Sequence, residues 1–277
     1  MKRIFALLTV SIFLIQCSTV PITGRKRINF VSDAQILPMS FQQYSGFLKE
    51  NKAKLINNTP KSRELKDIGK NIAGAVDRFM RANGMTKEAN SYKWEFNLIN
   101  DNTVNAWCMP GGKVVFYTGI MPICANTDGV AAVMGHEVAH AFAKHGQERM
   151  SSAQMQQLGG VAVAVGTANS KNAQLWNMAY GVGSSLGMLK FSRTHETEAD
   201  RLGLVFMLMA GYKGEEAVNV WKRMSQNAEK SGRKAPPEFL STHPHNATRI
   251  TDLQNYLPEA RLLAAKFNKQ TQGTARK

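Results

Sequence analysis

His136-Glu137-Val138-Ala139-His140 constrains this chain more than any other stretch of it. On a helix, residues four apart lie about 40° from one another around the axis, so both imidazoles leave one face and can share one ion. In an extended strand the same two side chains would stand about 13 Å apart. The fold must therefore run a helix through these residues. The flanks agree, since residues 130–134 and 138–142 are good helix formers and Gly135 leaves room for another chain to pass close by. Glu137 falls beside the histidine pair and is placed to act as general base on a water activated by the ion.

A zinc site with two histidines needs a third protein ligand and an open position. Glu196 is the candidate, with Asp200 one helical turn further on. Glu196 would bind the ion while Asp200 accepts the outer N–H of a ligand histidine and fixes its tautomer. This is the E-x-x-x-D arrangement of gluzincins. Glu198, about 200° round the helix from Glu196, is expected in solvent or paired with Arg201 or Arg193. All six histidines lie between positions 136 and 245. His145 does not complete the longer metzincin pattern, because Ala143 and Gly146 stand where that pattern needs glycine and histidine. It reads as a histidine at a helix C-terminus interacting with the dipole, and His195 as structural.

Around this segment the pattern is α+β with helices dominant. Residues 33–57 read as helix with an interruption near Pro38, and residues 62–83 carry Leu65, Ile68, Ile72, Val76, Phe79 and Met80 on one helical face. Tyr92, Trp94, Phe96 and Leu98 alternate, and Val114, Val115, Phe116 and Tyr117 form a second β-rich run, which together predict a small antiparallel sheet beside the H-E-x-x-H helix. From Asp128 onward the chain reads helical, with breaks near Gly146, Gly159, residues 211–214 and 231–237. Residues 158–190 are rich in Gly, Ala and Val and are expected as a packed helical hairpin or a membrane-touching surface. Residues 258–277 are expected as a basic tail.

The amino terminus predicts export. Lys2 and Arg3 precede an apolar run of residues 4–15 that ends at Leu14-Ile15-Gln16-Cys17. That run is too short to span a bilayer and has the form of a lipoprotein signal, with Cys17 as the lipidated residue, although Gln16 departs from the usual small residue. The expected location is the bacterial cell envelope on the periplasmic side, lipid-anchored, with Ser18 compatible with the outer membrane. Residues 18–32 then form a tether and residues 33–257 a metallopeptidase domain. With 43% hydrophobic residues among 277, the chain can bury its own core, and three cysteines exclude a disulfide scaffold. Cys108 and Cys124 either pair across a short loop, as an oxidising compartment permits, or remain two buried thiols. The net charge of +15 suits an anionic surface of any kind, but no recognition motif accompanies it, so no nucleic-acid partner is expected.

Cys17 followed by Pro21-Ile22-Thr23-Gly24-Arg25, then Asn105-Ala106-Trp107 with Pro110-Gly111-Gly112, the 136–140 motif, residues 196–200 and Ser241-Thr242-His243-Pro244 with Arg249 occur in this order. The series resembles the CAAX-prenyl-protease-like zinc endopeptidases, or minigluzincins, and among them the small exported lipoprotein members and the mitochondrial Oma-type proteases. The resemblance implies a gluzincin-type domain holding one zinc ion per chain through His136, His140 and Glu196. It implies that residues 105–117 hold substrate backbone, with Asn105 near the scissile bond and Val114, Val115, Phe116 and Tyr117 adding a peptide strand. It brings His243 to the metal, as a fourth ligand or as an oxyanion donor, with Arg249 orienting this loop or lying on the surface. The substrates it implies are unfolded or misassembled envelope proteins, and the alternative is a chaperone-like protein whose site is plugged by His243 and seldom turns over.

Overall fold

The computed structural model describes residues 16–160, 191–230, 238–243 and 248–274. The chain enters through a two-stranded ribbon, β1 (Gln16–Thr19) and β2 (Lys26–Asn29), in which Cys17 pairs with Ile28. Helix α1 (Asp33–Glu50) runs unbroken through Pro38, which lies inside it, and ends earlier than the sequence suggested. A short 3-10 turn then leads to the two-residue strand β3 (Leu55–Ile56). Helix α2 (Pro60–Ala82) starts at Thr59, whose side chain accepts from the Ser62 N–H, with proline at the position where a missing N–H costs nothing. Its predicted stripe of Leu65, Ile68, Ile72, Val76, Phe79 and Met80 is buried in the main core.

After the short helix α3 (Thr86–Ser91) come β4 (Glu95–Ile99), β5 (Ala106–Met109) and β6 (Lys113–Tyr117). The sheet order is β3-β4-β6-β5, with β4 and β6 parallel and the other pairs antiparallel. The sheet is thus mixed and not purely antiparallel. Val114 and Phe116 of β6 face the main core, while Val115 and Tyr117 pack with Ile36 and Tyr44 of α1. A strand covered on both faces and paired on both sides cannot be an edge, so the expectation that residues 114–117 receive a peptide strand is corrected. The strand at that end of the sheet is β5, which the alternation in the sequence does not predict.

The short helix α4 (Met121–Cys124) precedes α5 (Thr127–Phe142), which carries both motif histidines. Asn126 caps α5 by accepting from the Gly129 N–H at 2.8 Å, and every residue from Gly129 to Phe142 is buried. Helix α6 (His145–Gly160) follows after a break at Lys144, whose φ of 60° turns the chain. The break precedes His145, which therefore opens a helix and does not close one. Helix α7 (Arg193–Met209) is capped by Ser192 and crosses α5 at two glycines: a Cβ on Gly135 would meet the Gly203 carbonyl oxygen at 2.7 Å, and one on Gly203 would meet the His136 nitrogen at the same distance. This contact is what brings the start of α7 against the histidine face of α5.

Helices α8 (Glu215–Lys230), α9 (Glu238–Thr242) and α10 (Arg249–Thr274) close the domain. The expected basic tail is instead the second half of α10. Ala260 and Ala264 are buried there, and the Phe267 ring lies 4.7 Å from that of Phe79. Residues 1–15, where the sequence predicts an export signal, lie outside the described residues, as do 161–190 of the expected hairpin. Among the described residues no helix is long and apolar enough to cross a membrane. Cys108 and Cys124 are both free thiols, so the pairing considered from the sequence is not made.

Candidate metal centre

Four buried donors converge where α5, α7 and the residue after α9 meet. His136 Nε2 and His140 Nε2 are 3.1 Å apart, as the four-residue spacing requires. Glu196, one turn into α7, places Oε1 3.4 Å from His140 Nε2 and Oε2 3.6 Å from His136 Nε2. His243 Nδ1 completes the group, 3.0 Å from Glu196 Oε1 and 3.4 Å from His136 Nε2. Asp200 sits behind it with Oδ1 3.0 Å from His136 Nδ1, so this ring donates outward and turns its Nε2 lone pair inward. Three imidazoles and one carboxylate, aimed at one point, form a donor set that fits zinc.

The electrostatics agree. Burial works against a charge on Glu196, but His243 and Arg249 hold its carboxyl well below the usual range. Burial likewise opposes ionisation of Asp200, and Arg249 overrides it. Burial and the neighbouring His136 push His140 well below its ordinary value and keep it a neutral ligand. His136 is raised to about 9, because Asp200 and Glu196 outweigh the burial that opposes its charging. A metal ion binding there therefore displaces a proton.

Glu137 lies beside the donors, 2% exposed, and among the described residues its Oε1 has no hydrogen-bond partner, with His243 Nε2 3.6 Å away. Burial raises its pKa, the direction a general base at neutral pH needs. It faces a cleft lined by residues 105–110 together with His140, Phe191 and His243. Strand β5 thus forms one wall of the cleft. Asn105 is buried at its start, with Nδ2 donating to Glu238 Oε1 at 3.0 Å. Burial and the Glu137 charge push the Cys108 thiol well above the ordinary range.

Three residues play parts the sequence reading did not assign. Arg249, 1% exposed, donates from Nε and Nη2 to Asp200 at 2.7 and 2.6 Å and from Nη1 to Glu196 at 2.6 Å, with its guanidinium 3.4 Å over the Trp221 ring. It is a buried brace and not a surface arginine. His145 is fully buried, with Nδ1 2.9 Å from His140 Nδ1 and Nε2 2.8 Å from Glu198 Oε2. Glu198 is accordingly buried against His145 and Arg25, not solvated or paired with Arg193 or Arg201. His195 stacks on His145 with ring centres 4.4 Å apart and lies outside the four-donor group.

A profile of peptidase family M48 matches residues 63–257. The mitochondrial metalloendopeptidase OMA1 of Saccharomyces cerevisiae is 33% identical over 250 residues, covering 87% of this chain and 69% of its own. The protein of the same name from Schizosaccharomyces pombe is 31% identical over 243 residues, covering 88% of this chain and 67% of its own. The beta-barrel assembly-enhancing protease of Escherichia coli K12 is 29% identical over 180 residues, 62% of this chain and 36% of its own length. The two yeast proteins, matched over most of the chain, are mitochondrial, and this overturns the expectation of a lipid-anchored protein on the periplasmic side of a bacterial outer membrane.

Proposed function

The chain belongs to peptidase family M48, and from that premise we propose that it is a zinc-dependent endopeptidase acting on extended segments of unfolded or misassembled proteins. Metalloendopeptidase activity is common to the relatives at 33% and 31% identity, and the zinc and the substrate class are the finer reading. The observation that carries it is the junction of the four-donor group with a buried Glu137, whose Oε1 faces His243 Nε2 at 3.6 Å, at the wall of one cleft.

His136, His140 and Glu196 would hold the ion. When bound, zinc supplies a Lewis acid that polarises the scissile carbonyl and acidifies a water. Glu137 takes a proton from the attacking water and returns it to the departing amine, so no covalent intermediate on the chain is needed. Strand β5 offers the peptide an edge for β-augmentation, which aligns the substrate along the cleft and past Glu137. Asn105 lies where a substrate backbone would end this added strand, and Glu238 fixes its amide.

His243 supports a second, resting reading. Its Nδ1 belongs to the donor group, and a fourth protein ligand closes a zinc site that catalysis needs open. Turnover then requires His243 to leave, after which it can face the oxyanion. A plugged, chaperone-like protein is the limit in which it never leaves.

The test is cleavage of an unfolded protein by the zinc-loaded chain, for wild type, Glu137→Gln and His243→Ala. Cleavage by wild type that falls about 10²–10⁴-fold in Glu137→Gln supports the peptidase. Equal rates for those two would refute the role of Glu137, cleavage that appears only in His243→Ala would favour the plugged protein, and binding without cleavage in all three would favour a chaperone-like one.

A further inference from the structure

The segment before α1 read from the sequence as a tether, yet it is anchored against the metal centre. Val20 has no exposed surface and sits in the main core. The turn from it is closed by Val20 N–H to Arg25 O at 2.8 Å and Gly24 N–H to Val20 O at 2.9 Å. Ile22 and Gly24 adopt φ of 74° and 70° to make the turn. It presents Thr23 and Arg25 to Glu198, which is 4% exposed. The Thr23 hydroxyl donates to Oε1 and the Arg25 Nε to Oε2 at 2.6 Å. The two terminal nitrogens of Arg25 hold Glu148 at 2.8 and 2.5 Å, which fixes the guanidinium plane. Independently, Arg27 of β2 is buried and donates to the Ala143 carbonyl at 2.9 Å, capping α5 just beyond His140.

Hydrogen-bond donation converges on Glu198, from the ribbon on one side and from His140 through His145 on the other. The ionised Glu198 only accepts, so His145 Nε2 carries a hydrogen and, in the neutral ring, its Nδ1 carries a lone pair. His140 Nδ1, 2.9 Å away, must donate to that lone pair. The lone pair of His140 is thereby left on Nε2, the atom that faces the donor group. His136 receives the equivalent support directly from Asp200, whereas His140 receives it through a second histidine.

We propose that Thr23 and Arg25 are positioning residues for the metal centre, acting through Glu198 and His145 to fix the tautomer and orientation of His140. The inference rests on the zinc reading of the donor group. It makes the N-terminal ribbon a working part of the site.

The test is zinc affinity of the full chain, measured by competition with a chromogenic chelator, for Thr23→Val, Arg25→Gln and the double variant, each in the wild-type and His145→Phe backgrounds. The double variant is expected to lose about 10–100-fold in affinity in the wild-type background, the range typical of outer-shell partners. With His145→Phe already present, it should lose less than about twofold, because the connection is already cut. Thr23→Val removes one hydroxyl and keeps the charges paired, so it serves if Arg25→Gln fails to fold, with an expected loss of about 3–10-fold. Equal losses in both backgrounds, or none in the wild type, would overturn the inference while leaving the zinc site intact. A wild-type chain that takes up no zinc would remove both.

Discussion

Replacing Arg249 by methionine keeps most of the side-chain volume and removes the charge that faces Asp200 and Glu196. The guanidinium is 1% exposed and makes three hydrogen bonds of 2.6–2.7 Å to the two carboxylates. Removing one partner of a buried ion pair leaves the other charge without compensation and costs about 3–5 kcal/mol. In a domain of this size that lowers Tm by about 6–20 °C. Bound zinc neutralises part of the carboxylate charge, so the loss should be smaller in zinc-loaded protein than in metal-free protein. Arg261, half exposed against an equally exposed Glu215, is the matched control, and Arg261→Met should change stability by less than about 1 kcal/mol. Urea unfolding of both variants, with and without zinc, reads the difference. An Arg249→Met protein within about 1 kcal/mol of wild type in the metal-free form would refute the argument that this arginine braces the site.

Burial lowers His145 from 6.5 to about 4. Because the unfolded chain takes up that proton first, the stability contributed is full above about pH 6.5 and disappears as pH falls toward 4, by about 3 kcal/mol. Urea midpoints of metal-free protein across that window should show this slope, and His145→Phe should flatten it; an unchanged slope rejects the assignment. Gly203→Ala would push a methyl into the α5 backbone at 2.7 Å and should cost about 1–3 kcal/mol while weakening zinc uptake. Thermal melts with a zinc titration check it, and wild-type values in both would mean the helices separate without consequence. If β5 receives the peptide, hydrogen exchange of inactive Glu137→Gln with a bound unfolded substrate should slow at residues 106–109 and stay unchanged at 113–117. Protection of 113–117 alone would contradict that docking edge.

The parts of the site set by helical spacing were legible in the sequence. His136 with His140 and Glu196 with Asp200 are local relations, and helix geometry alone puts each pair on one face. What brings the pairs together is also half visible: Gly135 announced a close approach, whereas its partner Gly203 had no local signal. Which strand forms the edge of the sheet was less legible, for a physical reason. Val114 to Phe116 is a continuous apolar run, the mark of a strand buried on both faces, and that signal argued against an edge. Strand β5 is four residues with only its ends buried, and nothing in so short a stretch separates strand from loop.

The remaining misreadings concern long-range contacts. Glu198 is turned from its ligand neighbour by two positions, which suggests solvent, but Arg25 arrives from 173 residues away to cover it. Arg249 similarly reaches back 49 residues to Asp200. The helix α10 did leave a trace, since Leu253, Tyr256, Ala260, Ala264 and Phe267 keep helical spacing beneath the basic residues that suggested a tail.

Every role proposed for these side chains depends on one zinc ion held by His136, His140 and Glu196. Zinc X-ray absorption on the purified chain, together with metal content per chain, tests it most directly. One zinc per chain is expected, with nitrogen and oxygen neighbours at about 2.0–2.2 Å, no sulfur, and imidazole scattering that falls by one ring in His140→Ala. A sulfur neighbour at about 2.3 Å, or a zinc signal indifferent to His140→Ala, would place the metal elsewhere and contradict the account.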